Sequence, residues 1–205
     1  MYKEKLEDLK ANFYELYPNG FDDEGLVKVK KRHNTPKMGE QVRAMFHPDQ
    51  FASPDVICQN YAMVVSRSSL ISLFEKPKVK AMVDGFNTMQ KDIFSIALYE
   101  LLFGDKEDGF ESLVDFLSEY GLAKWSLLSL VPYYYERDKE FFIKPTTTKN
   151  IIKYFNIERV TYKPRPSFVF YKEYKKILEQ MKKTAKIGVE DNAAFTGFLM
   201  ISMEE

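Results

Sequence analysis

The 205 residues suit one domain spanning 1–205, since a chain of this length hides about 70% of its unfolded surface behind a single core. A composition of 45% hydrophobic and 15% aromatic residues excludes disorder for most of the chain and makes Phe and Tyr the main core material. Cys58 is the single cysteine, which excludes an intrachain disulfide framework, and a formal charge of zero excludes a chain basic or acidic throughout.

The first predicted helix runs over residues 2–17, where Leu6, Leu9, Phe13 and Leu16 recur on one stripe before "YPNG" turns the chain. "GLVKVKKRH" alternates like a strand yet also fits a short basic helix, and the two readings stay open. "KMGEQVRAMF" reads as a short helix. "SPDVICQNYAMVVS" reads as a longer one, with Ser53 as its cap and Pro54 at the first helical position. Pro77 opens a helix with Val79, Met82, Val83 and Phe86 inward. Clearer periodicity marks helices over 88–103 and 109–120, followed by Gly104 and Gly121 as helix stops. "LAKWSLLSLVPYYY" is apolar nearly all round and predicts a central buried helix ending near Pro132.

The last third is read as a mixture. Two short strands, near 140–143 ("EFFI") and 158–163 ("ERVTYK"), flank a helix over 147–155, so the predicted fold is mainly α with a minor β element. A long amphipathic helix follows from Ser167 to Lys186 and is broken by Gly188. Asp191 or Asn192 then caps a last apolar helix through Met203, although "FLMISM" also fits a strand.

The zero charge is uneven. Residues 1–138 hold 17 basic and 22 acidic residues, a net of −5; residues 139–186 hold 13 and 4, a net of +9; the remainder holds four acids and no Lys or Arg. A basic α+β sub-region at 139–186 between acidic segments either faces an anionic partner or docks against its own acidic neighbours.

Several stretches, "YPNGF" near Tyr17, "RSSLISLFEK" from Arg67, "KW" at Lys124, "FFIKPTTTK" from Phe141 and the Y-K-x-L helix after Tyr171, resemble an uncharacterised family of bacterial proteins. The resemblance covers most of the chain and implies a full-length domain with no assigned activity. Ser68 departs from it, standing where an Asn-like residue is typical.

The absence of glycine-rich phosphate loops, a nucleophile elbow or HExxH leaves no handle for nucleotide, hydrolase or zinc-protease chemistry. His33, His47 and Cys58 show no metal-ligand spacing, and Cys58 sits in an apolar helical pattern where thiols are inert, so neither a metal nor a cofactor is expected. Arg67, Glu75 and Lys76 are charges in an apolar context and predict a buried ion pair or a cleft. Pro145 turns the chain at Lys144, and a helix start at Thr146, Thr147 or Thr148 beside Lys144 and Lys149 makes a candidate anion site. Lys163, Arg165, Lys172, Lys175, Lys176 and Lys183 form the candidate partner-binding face.

The expected protein is cytoplasmic and outside the membrane, because "MYKEKLEDLK" lacks the apolar core of a signal peptide and no run is long enough to span a bilayer. Its expected role is non-enzymatic contact with an acidic protein or nucleic acid through 139–186. The alternative is an enzyme acting on a phosphorylated or nucleic-acid substrate held at Lys144.

Overall fold

The computed structural model describes residues 2–203, and among them lie eleven α-helices and no strand. The first, α1 (Lys3–Leu16), buries Leu6, Leu9 and Phe13 on the stripe their spacing dictates. A 3-10 turn at Gly20–Asp22 leads into α2 (Glu24–His33). The ambiguous "GLVKVKKRH" is thus helical: Asp23 accepts the Gly25 N–H at its start, and Asn34 at φ 43° closes it in the left-handed region. Next come α3 (Thr35–Met45), a 3-10 turn at Pro48–Ala52, and α4 (Pro54–Arg67). Ser53 precedes α4 but makes no side-chain cap bond.

The helices α5 (Lys76–Asp84) and α6 (Thr88–Phe103) pack beside α4, and α7 (Lys106–Ser118) packs against α6. At Gly109 the backbones of α6 and α7 touch. A Cβ there would lie 2.2 Å from the Leu101 nitrogen and 2.7 Å from the Ala97 carbonyl oxygen, so any side chain would pry the helices apart.

The central α8 (Trp125–Tyr135) is buried along nearly its whole length. It runs past Pro132, because that proline loses its own donor but keeps its carbonyl, which accepts the Glu136 N–H at 3.0 Å. The chain closes with α9 (Pro145–Phe155), α10 (Phe168–Ala185) and α11 (Asn192–Met203). It is Lys186, at φ 48°, and not Gly188 that ends α10. "FLMISM" is helical, and the Asp191 carboxylate caps α11 by accepting the Ala194 N–H at 2.9 Å. The buried side chains join into one continuous apolar cluster.

The expected minor β element is not formed: residues 140–143 and 158–163 are irregular, and helices are the only regular elements of the described chain. The apolar run Phe141, Phe142 and Ile143 is buried as a strand would be, but it threads between helices, which supply its hydrogen bonds from side chains. Phe141 donates its N–H to the Tyr171 hydroxyl at 3.2 Å, Ile143 donates to Ser129 Oγ at 2.9 Å, and Asn192 donates to the Glu140 carbonyl at 3.1 Å. With the Phe141 and Ile143 N–H groups and the Glu140 carbonyl satisfied in this way, those groups need no ladder partner. In the second segment the Trp125 indole does the same, donating to the Lys163 carbonyl at 2.8 Å.

Candidate anion-binding cleft

The buried segment surfaces at Lys144, the residue before Pro145, with an extended backbone (φ −102°, ψ 119°). Pro145, not a threonine, is the first residue of α9, and Lys144 occupies the cap position without a side-chain cap bond. The Thr146 and Thr147 N–H groups therefore lie in the first turn, where no intrahelical acceptor exists. Thr146 is exposed, Thr147 is half-buried, and Thr148 is buried against Tyr174.

Two concavities meet at Lys144. One, of about 330 Å³, is lined by His33, Ser69, Lys144, Thr147 and the outer side of α11. The other, of about 470 Å³, is lined by Ser69, Ser72, Glu75, Lys124 and Lys144. His33 Nδ1 lies 2.8 Å from Ser69 Oγ across the shared wall. Partial burial, then Arg32, then Lys144 press the His33 ring below its ordinary pKa of 6.5, so it is neutral at pH 7 and donates or accepts with Ser69 according to its tautomer. Among the described residues neither Lys144 nor Lys124 has a carboxylate within ion-pair distance. Lys149 lies outside the cleft, with its ammonium 5.9 Å from the Tyr162 ring centroid.

The charges singled out upstream divide. Glu75 lines the second concavity and accepts a long bond, 3.4 Å, from Ser126 Oγ. Arg67 ends α4 as an exposed residue that lines neither concavity, and Lys76 opens α5. No ion pair joins Arg67, Glu75 and Lys76 among the described residues.

The basic face is consumed in part within the chain. Lys175, 22% exposed, and Lys106 both reach the Glu140 carboxylate at 2.9 Å, and the Tyr171 hydroxyl donates to the same group at 2.6 Å. Burial pushes the Glu140 carboxyl up, but Tyr171, Lys175 and Lys106 outweigh it and hold the group below its ordinary 4.5. Lys176 and Arg159 pair with Glu173, Arg165 pairs with Asp115, and Lys139 pairs with Glu136. The ammonium of Lys172 lies 5.9 Å from the Phe168 ring centroid. Lys163 and Lys183 remain exposed without a carboxylate among the described residues.

The described residues contain no group of three or more His, Cys, Asp or Glu side chains placed to hold a metal ion. Burial pushes the Cys58 thiol up to about 12, which keeps it protonated and inert. No described helix is long and apolar enough to cross a membrane.

No protein-family model, curated protein or solved structure matches the chain, so the resemblance to a bacterial family gains no support. The cleft therefore rests on its own geometry. Sequence reasoning placed Lys144, Thr147 and Glu75 in the region but missed His33, Ser69 and Lys124 as their neighbours. These residues come from widely separated elements, and no local pattern announces such a meeting.

Proposed function

We propose that this protein binds a small molecule carrying phosphate or carboxylate, with the anionic group held at Lys144. The observation that carries the proposal is the position of Lys144: an exposed ammonium at the junction of two concavities, with no carboxylate within ion-pair distance among the described residues. Ser69 and Thr147 supply hydroxyl donors, the first turn of α9 supplies N–H groups, and Lys124 adds a second positive charge. His33 can gain a proton as the anion arrives, since a negative charge favours the protonated ring.

Docking of an acidic protein or nucleic acid along 139–186 has weaker support, because Lys139, Arg159, Arg165, Lys175 and Lys176 already hold carboxylates. An NMR titration with inorganic phosphate tests the proposal. The Thr146 and Thr147 amide resonances should shift saturably in the wild type and stay still in Lys144→Ala. Shifts scattered over the whole basic face, or none, would reject it.

A further inference from the structure

We infer that the anion held at Lys144 is the head of an amphiphile whose apolar tail lies between α2 and α11; this rests on the proposed anion site. On the side of His33 away from Lys144 opens a third concavity of about 520 Å³, within the range of small-ligand sites. Its floor is apolar, built from Phe21, Leu26, Val29, Phe198 and Ile201. It shares His33, Leu70, Gly197 and Ile201 with the concavity that holds Lys144, so the two run into each other along α11.

Two features of the surrounding helices call for an apolar occupant. The first is α2, none of whose residues is buried, although Leu26 and Val29 face the concavity. Val29 is left 48% exposed. A helix normally covers its apolar side with core, and here Leu26 packs partly against the core while Val29 looks into open space.

The second is Gly197, in the interior of α11. Glycine there weakens the helix relative to alanine, and the usual compensation is the close approach of another element. No such approach exists, because a Cβ at Gly197 would meet no atom within 4 Å. The missing side chain instead keeps open the passage between the apolar concavity and the one at Lys144, both of which Gly197 lines.

The apolar floor sets the direction in which a ligand lies, although Lys30 and Lys31 also line the third concavity. At the Lys144 end stand an ammonium with no ion pair among the described residues, hydroxyls and the His33 ring, with the Glu75 carboxylate lining the adjoining concavity. The carboxylates of the other end are already engaged, Asp191 with Arg137 at 2.9 Å and Glu190 with Lys30 at 3.5 Å. An anionic head at Lys144 and an unbranched hydrocarbon chain passing Gly197 fit this polarity, which defines the ligand class as an alkyl phosphate or an aliphatic carboxylate.

Calorimetric titration with inorganic, ethyl, hexyl and decyl phosphate, below micelle-forming concentrations, tests the inference. Affinity should rise about two- to fourfold per added methylene, as buried CH₂ groups dictate. In Gly197→Leu, a substitution that fills empty space and favours the helix, the gain from ethyl to decyl phosphate should vanish. Lys144→Ala should weaken every member of the series. Wild-type protein that binds ethyl and decyl phosphate equally, or a Gly197→Leu protein of unchanged thermal stability that keeps the chain-length gain, would overturn the tail site and leave the anion site standing. Failure of every phosphate to bind would remove both.

Discussion

Glu140 and Lys144 sit at the two ends of the same buried segment and meet opposite fates. Glu140 is 5% exposed and surrounded by groups of its own chain: two ammonium groups and a phenol converge on its carboxylate. Lys144, four residues on, is exposed where two concavities join and meets no carboxylate among the described residues. The difference teaches that a positive net charge along a sequence is not one property. Lys175 belongs to the fold, since losing its partner would strand a charge, whereas Lys144 costs the fold nothing and is available to a ligand.

The largest effect should come from breaking the closed end. Glu140→Ala removes the partner of Lys175 and Lys106 and leaves the buried Tyr171 hydroxyl without its acceptor, and should lower stability by about 2–3 kcal/mol in urea unfolding. A loss below about 1 kcal/mol would mean that the network is slack. Tyr171→Phe removes the hydroxyl that donates to Glu140 and accepts from Phe141, and should cost about 2 kcal/mol by the same measurement.

Acid should act on the same end. Glu140 is held below 4.5 in the folded protein, so the unfolded chain binds its proton more readily. The stability it contributes is complete above pH 4.5 and is lost as pH falls through the lower folded value. Glu140→Gln should therefore flatten the acid limb of a stability profile.

At the open end the effects are smaller and concern ligand, not fold. The His33 ring lies below 6.5 in the free protein, and a bound anion raises it, so affinity should climb modestly as pH falls below 6.5. Inorganic sulfate, whose charge is constant over that range, is the suitable probe. A flat profile would separate His33 from the anion.

Much of the helical skeleton was legible in the sequence, and for physical reasons. The stripe Leu6, Leu9, Phe13 and the stop at Gly104 state a period and its end in local terms. "EFFI" misled because an apolar run says only that a segment is buried. Whether its backbone bonds to a strand or to Tyr171 and Ser129 is decided by helices 14 or more residues away. The proline at 145 correctly marked a turn at Lys144, but His33 and Ser69, which stand beside it, lie more than 70 residues upstream. Gly197 carried a local signal, a glycine inside an apolar helical pattern, which points to a backbone approach or a deliberately empty space.

Thermal unfolding of wild type, Glu140→Gln and Lys144→Ala, each with and without inorganic phosphate, tests the division of charge most directly. Glu140→Gln should melt lower while keeping the phosphate-induced rise in Tm, and Lys144→Ala should keep the wild-type Tm and lose that rise. A phosphate-induced rise equal in all three proteins, or a Lys144→Ala protein that melts as low as Glu140→Gln, would contradict it.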